Sequence, residues 1–314
     1  MPRPHESASL TRRNFLALSG TAAAAGALLS RGIVSPANAA ETPAAPPPPS
    51  SKKYPIGLEL YSVRGELAKD LPNTLRTVAK IGYEVVEFFS PYFAWTFAYA
   101  KDVRHQLDDL GLRCLSTHNN FPSLNPGTET MARAIELNQI LGTRTIVMAS
   151  PPPNTKTGDD WKRVCAQLTT SVGQLKIHGL TAGFHNHRIE WTPTAEGPRV
   201  MDIIAANTPP EFVLQFDVGT CMEAGADPIA WIKANPGRIK SVHLKDWTPG
   251  DKKDEKAYRV LFGEGVSPWK EIVATAEEVG GVEYYLLEQE GSRFSEFETA
   301  QRCLDSWRAL RKPV

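Results

Sequence analysis

Leu180-Thr181-Ala182-Gly183-Phe184-His185-Asn186-His187-Arg188-Ile189-Glu190-Trp191 reads as a strand that ends in chemistry. Apolar and small residues lead into two histidines spaced i, i+2, and on a strand that spacing puts both imidazoles on one face. Two imidazoles delivered from one strand end bind a metal, move a proton, or do both. Which applies depends on what other strand ends bring to the same place.

Working outward from that strand, short β-branched and apolar runs recur at residues 56–61, 85–89, 113–117, 145–149, 181–185, 213–218, 241–244 and 284–288. Helical periodicity falls between and after them, at 71–81, 96–110, 129–141, 159–177, 198–206, 228–234, 268–279 and 295–310. Gly82, Gly111, Gly142, Gly179 and Gly280 stand where helices commonly end in a left-handed residue. Eight strand–helix units over about 260 residues predict one α/β domain, a single (β/α)8 TIM barrel. A doubly wound open sheet is the alternative. It usually carries a glycine-rich phosphate turn after its first strand, and Tyr61-Ser62-Val63-Arg64-Gly65-Glu66 is not one.

The barrel does not use the whole chain. Thr11-Arg12-Arg13-Asn14-Phe15-Leu16 places a twin-arginine pair ahead of an apolar run, Phe15 to Leu29, that is too short to span a bilayer. Ala37-Asn38-Ala39 supplies a small-residue cleavage site, so residues 1–39 are expected to be a Tat signal peptide and the protein periplasmic or secreted, with no membrane attachment after cleavage. An uncleaved anchor is the alternative. Residues 40–53, with four consecutive prolines from Pro46 to Pro49, read as an extended linker, and residues 54–314 as the barrel.

The full chain of 314 residues has 35 basic and 35 acidic side chains. Setting aside residues 1–40 removes Arg3, Arg12, Arg13, Arg31 and Glu6, leaving 31 basic against 34 acidic, a net of −3. That balance attracts neither nucleic acid nor an anionic membrane. Cys114, Cys165, Cys221 and Cys303 have no CxxC or zinc-ribbon spacing, so separate buried thiols are expected.

A barrel of this kind carries its active site at the C-terminal ends of its strands. His118, His185, His187 and His243 all fall at or near strand ends, whereas His105 and His178 fall on helices or at their ends. Asp217 ends the sixth strand and Glu288 the eighth. His185, Asp217, His243 and Glu288 thus offer one ligand from each of four consecutive strands, a mixed nitrogen and oxygen set that suits Mn, Zn, Co, Fe or Mg. Singly, each has an ordinary structural explanation: Asp217 as a helix N-cap, Glu288 as the partner of Lys245, His243 as a core histidine. Their repetition on adjacent strands makes the site. Tyr61, Glu87, His118, Lys245 and Arg259 are the candidate substrate-binding residues. Trp191, Trp247 and Trp269 either stack on a sugar ring or pack.

Gly57-Leu58-Glu59-Leu60-Tyr61-Ser62-Val63-Arg64, Phe184-His185-Asn186-His187, Phe216-Asp217-Val218-Gly219, His243-Leu244-Lys245-Asp246, Gly263-Glu264-Gly265 with Trp269, and Leu287-Glu288-Gln289 together resemble the xylose isomerase-like TIM barrels known as sugar phosphate isomerases/epimerases. The resemblance covers about residues 54 to 312 and keeps the motif order. It implies a divalent metal at the ends of strands five to eight, on His185, Asp217, His243 and Glu288. There are three departures. The strand-five position, a glutamate base in the epimerases, is His185; Thr220 stands where many relatives have a substrate-contacting histidine; Glu290 stands where aspartate is expected.

Such a site favours removing a proton from a carbon next to the carbonyl of a small sugar or keto-sugar, with the metal as Lewis acid. Glu288 is then ligand and base, with His187 or His185 as the opposing acid. Returning the proton gives epimerisation or isomerisation. Expelling a β-leaving group gives a lyase or dehydratase acting on a 3-keto-sugar, keto-glycoside or inosose. Export points to an unphosphorylated substrate. A non-catalytic carbohydrate-binding barrel and a nuclease of the family's endonuclease branch are the rivals; the intact ligand set argues against the first and the acidic balance against the second.

Overall fold

The β-branched runs become eight parallel strands in the computed structural model, which describes residues 54–250 and 257–312. The signal and linker expected at 1–39 and 40–53 lie outside the described residues. The strands are β1 (Ile56–Glu59), β2 (Val85–Phe88), β3 (Arg113–Asn119), β4 (Thr145–Met148), β5 (Thr181–His185), β6 (Val213–Asp217), β7 (Ser241–Leu244) and β8 (Tyr284–Leu287). Each pairs in parallel with the next, and β8 returns to β1, so the sheet closes into a barrel with no free edge.

Among the described residues ten helices connect them: α1 (Arg64–Lys69), α2 (Leu71–Ile81), α3 (Phe97–Asp109), α4 (Glu129–Leu141), α5 (Gly158–Lys176), α6 (Val200–Asn207), α7 (Val218–Glu223), α8 (Pro228–Ala234), α9 (Trp269–Thr275) and α10 (Glu296–Leu310). Side-chain caps start several of them. Asp70, Thr96, Thr128, Thr157 and Ser295 each accept a hydrogen bond from a backbone N–H of the first turn. Among the described residues no helix is long and apolar enough to cross a membrane.

Strand period two divides the residues between two environments. One set, including Leu58, Val86, Phe88, Ile146, Phe184, Phe216, Leu244 and Leu287, joins Leu75, Leu107, Leu137, Leu168, Ile272 and Trp307 of the helices in the main core. The other set fills the barrel. Val85, Tyr284 and Leu286 form a separate apolar plug near the strand starts. Gly57 makes room for it, since a Cβ there would lie 2.7 Å from Leu286 Cδ2. Further along the same faces come Glu87, Gln215, Ser241 and His243, joined by hydrogen bonds.

Several boundaries differ from the sequence reading, each for a local reason. β1 stops at Glu59, whose carboxylate accepts from the Tyr61 N–H at 2.5 Å and starts a 3-10 turn, Leu60–Val63. β6 stops at Asp217, which caps α7, so Val218 is helical. β3 runs on to Asn119, which places His118 within the strand. Helix α9 continues into a wide π-type turn, Ala276–Gly280, and the left-handed cap therefore falls on Gly281 (φ 80°) and not on Gly280. Helices α1 and α7 are six residues each and were not expected. The four cysteines are free and buried, as the spacing implies.

Candidate active site

The ends of β5, β6 and β8 converge. One ring nitrogen of His185 and one carboxylate oxygen each of Asp217 and Glu288 lie within 4.8 Å of one another, and all three residues are buried. Asp217 does two jobs. Its Oδ1 accepts from the Thr220 N–H at 2.9 Å, so it is the helix N-cap considered above, while Oδ2 stays with the site, 3.8 Å from His185 Nε2. Lys245 Nζ stands among the carboxylates, 3.2 Å from Asp217 Oδ2, 3.0 Å from Glu288 Oε1 and 2.6 Å from Glu290 Oε1.

His243 is held differently. Its Nδ1 lies 2.6 Å from Glu288 Oε2 and its Nε2 2.8 Å from Glu87 Oε2, so both nitrogens meet carboxylates. Glu87 is the hub beneath the site. The same Oε2 lies 3.0 Å from His118 Nε2, and Oε1 accepts from Gln215 Nε2 at 2.8 Å and from the Ser116 hydroxyl. Burial raises Glu87, but the His118 and His243 imidazoles overcome it and hold the carboxyl well below its usual range. In return, and against burial, Glu87 and Glu288 push His243 up to about 9.

His185 and His187 go the other way. Burial, then the positive charge of His243, holds His185 well below the ordinary histidine value. Burial, then Lys245, takes His187 down to about 4. Both are neutral at pH 7. Burial raises Glu288, but Lys245 and His243 overcome it and keep it a carboxylate. Glu59 behaves oppositely: burial, helped by Glu288 and Glu87, raises it well above the usual range. Its Oε1 has no partner among the described residues.

These groups open onto a cavity of about 560 Å³. Its polar lining includes Glu59, His118, His185, His187, Glu288 and Asn120, and its aromatic wall is Tyr61, Phe89 and Phe93. Of the residues singled out in the sequence, Tyr61, His118, His185, His187 and Glu288 reach this cavity. Glu87 does not: it is fully buried, with both oxygens engaged by Gln215, Ser116, His118 and His243. Lys245 is 1% exposed and bound to carboxylates. Arg259 donates to the Ser292 carbonyl and is away from the lining. Trp191 packs on Phe216 and Trp231, and Trp269 Nε1 donates to Asp246 Oδ2; none of the three tryptophans lines the cavity.

Sequence reasoning missed Glu59 and Glu190. Glu59 did leave a trace, a lone charge inside the apolar run Ile56-Gly57-Leu58-Glu59-Leu60. Glu190 lies three residues beyond His187, accepts its backbone N–H at 2.8 Å, and is pushed by burial up to about 7.

The donor set passes a test of fit for a divalent ion. His185 Nε2 faces the Asp217 carboxylate, 3.8 Å from Oδ2 and beyond hydrogen-bond reach. One nitrogen and two carboxylate oxygens on three strands are hard-to-borderline donors. His243 is not in this group; it forms a second candidate group with His118 and His185.

A closed barrel of eight parallel strands with acids and imidazoles at the strand ends defines a TIM-barrel protein with an enzyme-like mouth. Residues 75–310 match the model described as Xylose isomerase-like TIM barrel, and the chain belongs to that family. It is 28% identical over 281 residues to an inosose dehydratase of Mesomycoplasma hyopneumoniae (strain 7448), covering 83% of this chain and 87% of that protein. It is 26% identical over 252 residues to a provisionally named L-ribulose-5-phosphate 3-epimerase of Escherichia coli (strain K12), covering 71% and 85%. A sugar phosphate isomerase/epimerase from Parabacteroides distasonis superposes with a TM-score of 0.69 at 25% identity, covering 85% of this chain and 98% of that one.

Proposed function

We propose that the protein is a sugar isomerase/epimerase or dehydratase that removes a proton from carbon next to a carbonyl, with a divalent ion held by His185, Asp217 and Glu288. The observation that carries this reading is the convergence of those three donors at a cavity large enough for a sugar or keto-sugar. The relatives support it, because 3-epimerisation and inosose dehydration both begin with loss of such a proton. When bound, the ion would supply Lewis-acid charge for the oxygen on which negative charge develops.

The side chains divide the remaining work. His187 is neutral and lines the cavity, which suits it to take the proton. Glu288, kept a carboxylate by Lys245 and His243, acts as a ligand. Glu59, in the cavity wall and shifted by burial toward its protonated form, is the donor, either back to carbon or to a departing hydroxyl. That last option favours dehydration as the second reading. His118 and Asn120 bind substrate hydroxyls, and Tyr61, Phe89 and Phe93 shield one wall from water.

The test is solvent deuterium uptake by a panel of unphosphorylated keto-sugars and inososes, with Mn, Zn, Co, Fe or Mg supplied. Exchange is expected, and His187→Gln is expected to lower it about 10²- to 10⁴-fold. No uptake with any substrate and metal would sink the proposal. Export is part of the same reading: the twin arginines Arg12 and Arg13 would carry the folded barrel to the periplasm. Mass spectrometry of the periplasmic protein is expected to give Ala40 as its first residue, and retention of the intact chain in the cytoplasm would refute export.

A further inference from the structure

Lys245 is an unusual occupant for a candidate metal centre. Its ammonium is 1% exposed and touches Asp217 and Glu288, two of the three donors of the group that includes His185. Two buried carboxylates without a counter-charge are costly, and a compact ammonium on a flexible four-carbon stem is suited to neutralise them. The fold makes room for it. Gly219, in the first turn of α7, lies so close that a Cβ there would be 2.7 Å from the Lys245 carbonyl oxygen and 3.2 Å from its Cγ. The Tyr258 ring covers the other side, its centroid 5.1 Å from Nζ.

The third partner is different in kind. Glu290 meets Nζ at 2.6 Å, the shortest of the three contacts, yet its side chain is 43% exposed at the rim and it is not one of the three donors. The ammonium is therefore shared between an inner pair of carboxylates and an outer one. An ammonium and a divalent cation in contact with the same inner oxygens repel strongly in a poorly screened site.

We propose that Lys245 is a tethered place-holder cation: it neutralises Asp217 and Glu288 when no divalent ion is present, and moves outward onto Glu290 when one takes those oxygens. This rests on the metal-centred reading above and extends it to how the site stays folded, loads and unloads. Lys245 is here a positioning residue. Glu290 favours the loaded state, because in that state it is the ammonium's main remaining carboxylate.

The test is Mn²⁺ binding to the metal-stripped protein, followed by calorimetry and by the loss of the free-ion electron paramagnetic resonance signal. Lys245→Met removes the competing charge and is expected to tighten Mn²⁺ binding about tenfold or more; Glu290→Gln removes the outer station and is expected to weaken it severalfold. A lysine needed only for structure would give the opposite result for Lys245→Met, weaker binding. Equal or weaker binding by Lys245→Met overturns the proposal and leaves the metal-centred reading standing. If Lys245→Met does not fold, unchanged affinity in Glu290→Gln, a rim substitution, overturns it. No binding by wild type and Lys245→Met alike overturns both.

Discussion

Glu87 sets the charge of the residues above it, and so the pH range in which they hold together. With EDTA present, His243, raised to about 9 from an unfolded value near 6.5, contributes stability that is full below pH 6.5 and lost as pH rises toward 9. His187, depressed to about 4, acts in the other direction: the unfolded chain takes up a proton below about 6.5 while the folded one does not, so stability falls as pH drops from 6.5 to 4. Urea titrations across pH are expected to show a maximum near neutrality. Glu87→Gln is expected to cost about 3–5 kcal/mol at pH 7 and to flatten the alkaline limb, because it strands two buried imidazoles. An unchanged alkaline limb would show that Glu87 does not hold the proton on His243. His185, Asp217 and Glu288 were legible as a group because each ends or follows a strand, where period two and barrel topology decide direction. The upward shift of Glu59 was not legible, since it depends on its burial and on the crowding of Glu288 and Glu87 from strands far apart in sequence. Nor was the double bonding of His243, whose two ring nitrogens both meet carboxylates.

The loop after β7 shows how an element is tied to the site. Asp246 follows Lys245 directly and is buried, and its Oδ2 accepts from Gly263 N at 2.9 Å, Gly265 N at 3.0 Å and Trp269 Nε1 at 2.9 Å. This one carboxylate pins the loop and the start of α9. A Cβ on Gly265 would lie 2.2 Å from Asp246 Oδ1 and 2.3 Å from the Trp247 carbonyl oxygen, distances no side chain tolerates. Gly265→Ala is therefore expected to displace Asp246, destabilise the protein by about 2–3 kcal/mol and lower deuterium exchange, because Lys245 is the adjacent residue. Calorimetry and the exchange assay check this together; a wild-type melting temperature would mean the loop yields without moving Asp246. Helices α2, α4 and α8 were readable to the residue, since periodicity and caps agree there, whereas of the strands only β5 and β7 kept both ends read from the sequence. Helices α1 and α7 are too short to show a period. Helix α7 exists because Asp217, at the end of β6, caps it through a side-chain hydrogen bond, and α1 follows the 3-10 turn that Glu59 starts at the end of β1.

The barrel gathers its candidate ligands from β5, β6 and β8, so an ion bound there ties together strands that β7 otherwise separates. Metal binding is then linked to the stability of the whole molecule. An ion at 100 times its dissociation constant, with no affinity for the unfolded chain, adds about 2.7 kcal/mol. For a domain of this size that corresponds to a rise of about 5–10 °C in melting temperature. The apo barrel is nonetheless expected to remain folded, because the main core is large and Lys245 already neutralises Asp217 and Glu288. The four cysteines are free and buried, so a reductant should leave both melting temperatures unchanged and the metal effect is cleanly isolated. Differential scanning calorimetry of the EDTA-treated protein, with and without excess Mn²⁺ or Zn²⁺, is expected to give a single transition in each case, the second higher. Complete unfolding on chelation would show that Lys245 does not sustain the empty site. Identical melting temperatures with every divalent ion would show that the strand-end donors hold no metal, leaving the buried lysine and its three carboxylates as an arrangement complete in itself.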